Sequence, residues 1–132
     1  MAKLEPVLTP DAPAPGGHYS QAIVHQGLVY VAGQLPIAPG QTGKAGHGVG
    51  AVEAQAAQVL ANLEAILRAA GSRKDLVIRV TVYISDVALW GEFNRVYAEF
   101  FGEHRPARTV VPCNKLHYGY DVELDAIAAV AD

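Results

Sequence analysis

Cysteine is all but absent from this chain, whose 132 residues contain only Cys113. A single thiol excludes an intrachain disulfide and a cysteine-rich zinc site, and it fits a reducing compartment. Charge is scarce as well: Asp, Glu, Lys and Arg make up 17% of the residues, against about 25% in soluble domains generally. That is too little to coat a small monomer, so copies of the chain are expected to cover part of its surface. Clustered cations are missing too. Ten Lys and Arg are scattered along the sequence and the formal net charge is −3, which argues against nucleic acid as a partner, because phosphates are held by grouped Lys and Arg. Long apolar runs are lacking. The opening "MAKLEPVLTPDAPAPGG" places Glu5, Pro6 and Pro10 where a signal peptide needs an unbroken apolar stretch, and no later run is long enough to span a bilayer. The expectation is a cytoplasmic protein with no membrane partner.

What is present describes one domain, residues 1–132, with 1–17 as an extended lead-in rich in Pro, Ala and Gly. "YSQAIVHQGLVYVAGQLP" holds two β-rich runs around Gln26-Gly27 and reads as a hairpin. "IAPGQTGKAGHGVG" is a glycine-rich connection and not a phosphate loop, because Ala45 follows Gly43-Lys44 where Ser or Thr is required. From about Val52 to Ala70 the residues Val59, Leu60, Leu63, Ile66 and Leu67 recur at helical spacing, and Gly71 supplies the stop. "LVIRVTVYIS" reads as a strand with Ile78, Val80, Val82 and Ile84 on one face and Arg79, Thr81 and Tyr83 on the other. That second face is mixed, as expected where a strand meets another subunit.

Asp86 suits the N-cap of a second helix whose stripe is Leu89, Phe93, Val96, Tyr97, Phe100 and Phe101. Gly102 and Pro106 end it, "ARTVVPC" is the next strand and "DVELDAIAAV" the last. The order β-β-α-β-α-β-β predicts an α+β fold, a mixed sheet with two helices on one face.

Few residues carry chemistry. The five histidines, His18, His25, His47, His104 and His117, lie outside ligand spacing from one another and from Cys113, so no metal site is expected. Cys113, late in a strand, reads as packing. Arg108 at the mouth of its strand is either an ordinary strand-end charge or a guanidinium held for an anion. Glu123 and Asp125 share one face of the last strand, where a charge must be solvated, paired or set in a cleft. If the last two strands form a hairpin around "NKLHYGY", Arg108 can pair with Glu123, as a structural salt bridge or as a catalytic pair.

"YSQA" (Tyr19–Ala22), "AGQLP" (Ala32–Pro36), "EAQAAQVLANLEAIL" with Gln55, Gln58 and Asn62, "FNRVYAEFF" with Asn94, "PAR" (Pro106–Arg108) and "VELDAIA" with Glu123 stand in an order and spacing that resemble the RidA/YjgF family. The likeness runs from about Gly17 to Val130. It implies a chorismate-mutase-like homotrimer with ligand clefts between subunits. It further implies a cofactor-independent deaminase hydrolysing reactive enamines and imines, such as 2-iminobutanoate, to 2-keto acids and ammonia. Arg108 then matches the carboxylate-binding arginine and Glu123 the acid-base residue, with Tyr19, Gly33, Asn94 and Tyr120 as further substrate-binding positions. Departures from the pattern are Ala32 for a serine, Val110 for a cysteine, and "LHYGY" for a Leu-Pro-Lys-Gly loop, which puts His117, Tyr118 and Tyr120 at the pocket mouth. The alternatives are a non-catalytic trimer binding 2-keto acids or other small carboxylates, a deaminase for larger enamines such as aminomuconate, and the endoribonuclease activity also attached to the family, which the acidic charge opposes.

Overall fold

A computed structural model describes residues 2–43 and 51–132. The second half of the glycine-rich connection, residues 44–50 including Lys44 and His47, lies outside the described residues. The strands are β1 (Glu5–Val7), β2 (Ala22–His25), β3 (Leu28–Gln34), β4 (Val77–Ile84), β5 (Ala107–Pro112) and β6 (Val122–Ala129), and the helices are α1 (Val52–Ala69) and α2 (Trp90–Phe101). The strands form one sheet in the order β1-β2-β3-β6-β4-β5. Every pair is antiparallel except β4 with β5, which are joined by the α2 crossover that parallel neighbours require. The fold is α+β.

Local chemistry accounts for the boundaries. Gln26 (φ 50°) and Gly27 (φ 79°) both adopt the left-handed conformation that a two-residue hairpin turn of matching twist demands. After α1, Gly71 (φ 80°) lets its own N–H reach Arg68 O and the Ser72 N–H reach Leu67 O at 2.8 Å, closing the helix end. Asp86 accepts from the Ala88 N–H at 2.9 Å and caps a single 3₁₀ turn that leads into α2.

Val59, Leu60, Leu63, Ile66 and Leu67 of α1 and Phe93, Tyr97 and Phe101 of α2 are buried against one face of the sheet. That face is made by Val29 and Val31, Val80, Val82 and Ile84, and Val122, Leu124, Ala126 and Ala128. Each fully buried aliphatic side chain is worth about 1.5–3 kcal/mol. The alternating residues of β6, Glu123, Asp125, Ile127 and Ala129, are half-buried on the opposite face, on which no helix packs among the described residues. One side of the sheet is thus a closed core and the other an open mixed surface.

Four expectations change. The lead-in supplies a sixth strand, β1, paired with β2. Pro6 is tolerated there because β1 is an edge strand whose outer side needs no donor. Ile78 does not join the core: a register shift between Val77 and Arg79 turns Val77 inward and leaves Ile78 47% exposed. Cys113 is exposed, with its thiol 3.4 Å from Ile84 O. Finally, β5 and β6 are not a hairpin. The α2 crossover lays β5 along one side of β4 while β6 takes the other, so β4 separates them and β5 is an edge strand.

Candidate functional site

The position of β4 has a direct consequence for Arg108 and Glu123. Arg108 stands opposite Val80, a core residue, and so shares the helix-covered face. Glu123 stands opposite Tyr83 on the open face. Paired strand residues project to the same side and successive ones to opposite sides. Within one chain the two residues are on opposite faces of the sheet and cannot form the salt bridge that a hairpin would have allowed.

On the helix side, Trp90, Asn94 and Tyr97 occur at helical spacing on α2 and so project from one face of it. Together they hold the guanidinium. Arg108 Nη1 donates to Asn94 Oδ1 at 2.8 Å, while Arg108 Cζ lies 4.7 Å from the Tyr97 ring centroid and 5.8 Å from that of Trp90. Aromatic faces attract the cation without consuming its N–H donors. Among the described residues Asn94 is its one hydrogen-bond partner, so most of the fork stays available to a cleft of about 400 Å³ lined by Asn94, Tyr97, His104, Arg105 and Arg108. Tyr97 is 6% exposed, and its hydroxyl has no hydrogen-bond partner among the described residues. Burial pushes that hydroxyl up to about 12, with the Arg108 guanidinium acting in the opposite direction. It is therefore a neutral donor at any ordinary pH.

On the open side, a separate cleft of about 650 Å³ is lined by residues that include Tyr19, Gly33, His117, Tyr118 and Glu123. Burial holds the Glu123 carboxyl above the usual glutamate range, the Asp125 carboxylate two residues away adds to the rise, and His117 opposes it. A bulge in β3 between Val31 and Gln34 accompanies the close approach of Gly33 to this acid. A β-carbon at Gly33 would stand 2.5 Å from Glu123 Oε2, so only glycine leaves the carboxyl where it is. Tyr19 is 53% exposed and its hydroxyl accepts from the Gly16 N–H at 3.2 Å.

Three buried amides keep the walls of this second cleft in place. Gln21 accepts from the Thr9 N–H at 2.7 Å and donates to Pro13 O at 2.9 Å, pinning the lead-in. Asn62 of α1 donates to Leu35 O and Ile37 O at 3.2 and 3.0 Å, pinning the segment after β3. Gln55 accepts from the Asp121 N–H at 2.8 Å and donates to the Asp121 carboxylate, fixing the entry to β6. Burial alone would raise Asp121, but hydrogen bonds from Lys115, Ser85 and Gln55 hold it below its ordinary value. Periodicity does not distinguish these amides from exposed helix and strand residues; only their places in "YSQA" and "EAQAAQVLANLEAIL", through the family resemblance, marked them. Their partners are 8 to 66 positions away.

Of the predicted site residues, Tyr19, Gly33 and Glu123 therefore meet in one cleft, and Arg108 and Asn94 meet in the other. Asn94 is the brace of the arginine. Tyr120, expected at the mouth, is 1% exposed: its ring lies behind that of Tyr118, with centroids 6.3 Å apart, as part of the wall's support. Trp90 and Tyr97, read from the sequence only as parts of an apolar stripe or not at all, are the ring partners of Arg108.

Known proteins share this fold and much of this sequence. Residues 9–130 match the family described as Endoribonuclease L-PSP. A RutC family protein of Pyrococcus horikoshii is 45% identical over 125 residues, spanning 94% of this chain and 96% of that protein. The crystal structure of yeast Mmf1 superposes with a TM-score of 0.91 at 36% identity, covering 98% of this chain and 100% of that one. TdcF of E. coli, solved with bound serine, superposes with a TM-score of 0.88 at 32% identity, covering 96% and 99%.

Proposed function

Since this chain belongs to the Endoribonuclease L-PSP family, the group that includes YjgF of E. coli, we propose that it is a cofactor-independent deaminase that hydrolyses 2-imino acids and their enamine tautomers to 2-keto acids and ammonia. The observation that carries this reading is the complementarity of the two clefts. One offers a stiffly held, largely unsatisfied guanidinium, and the other offers a carboxyl that burial holds above the usual glutamate range beside a glycine. Neither is sufficient alone. A second copy that lays its β5 edge near the open face of the first would set Arg108 of one subunit beside Glu123 of the other, in keeping with the self-association expected from low surface charge and with the trimer that the family resemblance implies.

In such a site Arg108 grips both oxygens of the substrate carboxylate and fixes the adjacent C=N carbon. Glu123, ionised above its raised pKa, takes a proton from water as the water oxygen bonds to that carbon. The imine nitrogen, protonated, becomes the amine of a carbinolamine. The proton then held by Glu123 passes to this nitrogen, the C–N bond breaks with its electron pair leaving on ammonia, and the hydroxyl gives its proton to the regenerated Glu123 carboxylate as it becomes the keto group, a proton that ammonia or solvent then removes. Imines hydrolyse readily unaided, so positioning with modest proton transfer is enough. The serine bound to the E. coli relative, a carboxylate next to a nitrogen-bearing carbon, is a ligand of this general shape.

The test is a coupled assay in which threonine dehydratase generates 2-iminobutanoate in the presence of semicarbazide. Keto acid release should be accelerated by the protein and not by Arg108→Ala. A correctly assembled protein that gives no acceleration would sink the reading. The relative with bound serine also favours a second reading, a carboxylate-binding module without turnover. Calorimetry separates the two, because the module binds 2-keto acids normally as Glu123→Gln while even the parent protein turns nothing over.

A further inference from the structure

The turn between β5 and β6 holds a strained conformation that the mechanism above does not use. Tyr118 has φ +63°, a left-handed value that is a genuine outlier for a bulky side chain, and Gly119 follows at +82°. Such strain persists only where surrounding packing enforces it. Here it folds two consecutive side chains onto one another: the His117 and Tyr118 rings are stacked with centroids 3.7 Å apart and planes within 9°. Extended or helical neighbours cannot stack in this way, because their side chains diverge.

The pair is braced from behind. With Tyr120, itself fully buried, lying edge-to-face at a centroid distance of 6.3 Å, Tyr118 has a fixed support on one side. Its ring also lies so close to Gly43 that any β-carbon at that position would overlap it, with Ile37 alongside. His117 is exposed, and both rings line the cleft that contains Glu123, Gly33 and Tyr19.

Resting on the deaminase reading for the chemistry but not for the binding, we propose that the stacked His117–Tyr118 pair is a platform that selects 2-imino and 2-keto acids with planar aromatic side chains over short aliphatic ones. A flat ring laid on a rigid, pre-stacked pair gains offset-stacking energy without ordering either side chain. Such contacts are worth about 0.5–1.5 kcal/mol, or roughly 2- to 12-fold in affinity. A methyl or ethyl side chain has no π face and gains nothing comparable.

The experiment measures binding and turnover on the same preparations. Calorimetry with phenylpyruvate and 2-oxobutanoate gives an affinity ratio for the parent protein, for His117→Ala, and for Tyr118→Asn, in which asparagine tolerates the left-handed backbone. Coupled assays with the imines of phenylalanine and 2-aminobutyrate give the corresponding kcat/KM ratio. The platform predicts that the parent favours the aromatic acid and that either variant lowers the aromatic-to-aliphatic ratio by about 3- to 10-fold. Equal affinities in the parent, or a ratio that neither substitution moves, overturn it. If the parent accelerates neither imine, the deaminase reading falls, while the calorimetric ratio still decides for or against the platform.

Discussion

The two clefts are built by opposite strategies. The arginine cleft is local: α2 and the start of β5, residues 90–108, supply Trp90, Asn94, Tyr97 and Arg108. The acid cleft is assembled from the lead-in, the end of β3, the turn before β6 and β6 itself, held by amides reaching across 8 to 66 positions. One is a clamp wedged by rings, suited to a ligand group that never varies. The other is a composite of loops, a glycine and a strained turn, where walls can change without disturbing the clamp. On the proposed reading, recognition of the carboxylate and discrimination among side chains fall to separate parts of the molecule.

The sharpest way to break that comparison is to disable each half in a different subunit. Arg108→Ala, which removes two charge-assisted hydrogen bonds, should lower kcat/KM by about 100-fold, and Glu123→Gln should lower kcat by about 100-fold. Mixed and reassembled, the two inactive proteins should regain activity at about a quarter of the sites, since in a closed ring that fraction pairs an intact arginine with an intact acid. Native mass spectrometry would confirm the exchange, and mixed assemblies with no recovered activity would show that the halves do not meet. Arg108→Lys should be nearly as damaging as Arg108→Ala, because a point charge cannot reproduce the fork.

A smaller effect is expected from Gly33→Ala. The added methyl collides with the mobile end of Glu123 and not with backbone, so the fold should survive while the carboxyl is displaced. Turnover should fall by about 10-fold with little change in Tm; a Tm loss that tracks the activity loss would instead make Gly33 a folding residue.

Next in size are shifts in pH dependence. The acid limb of kcat/KM should follow Glu123 and lie above the ordinary glutamate value of about 4.3. Asp125→Asn removes a repelling anion and should move the limb down, whereas His117→Ala removes a favourable cation and should move it up. In stability the signs are opposed. Asp121, depressed in the fold, contributes stability that is present above its unfolded pKa and is lost as pH falls through the folded one. Glu123, raised in the fold, adds stability as it protonates. Acid titrations of Tm for Asp121→Asn and Glu123→Gln should therefore depart from the parent in opposite directions.

The smallest effect is expected at Tyr97. Its buried, unpartnered hydroxyl costs about 1–3 kcal/mol, so Tyr97→Phe should leave Tm unchanged or raise it. If the hydroxyl meets a ligand oxygen gripped by Arg108, the same variant should weaken 2-keto acid binding several-fold. A variant that binds normally would leave Tyr97 as a ring partner of the guanidinium only.

Much of this was legible in one dimension. The 3.6-residue stripe of α1, the Gln26-Gly27 hairpin and the alternation of Glu123 and Asp125 with Val122 and Leu124 are local regularities, and each is present in the fold as an element or a face. Ile78 was misplaced because a bulge adds one residue to a strand without leaving any mark in its alternation. The hairpin that would have paired β5 with β6 does not form for a related reason: a turn-rich segment between two strands signals a reversal and not which strand is the neighbour. Tyr120 looked like a mouth residue because adjacency in "LHYGY" says nothing about which ring is in front.

The sequence by itself determined the strands and helices other than β1, the two faces of β6 and the candidate cation and acid, because side-chain periodicity and residue chemistry are properties of neighbours along the chain. The tertiary structure alone decided that Arg108 and Glu123 occupy opposite faces of the sheet. That outcome depends on β4 lying between β5 and β6, and strand order is set by packing among segments tens of residues apart, which local pattern does not encode.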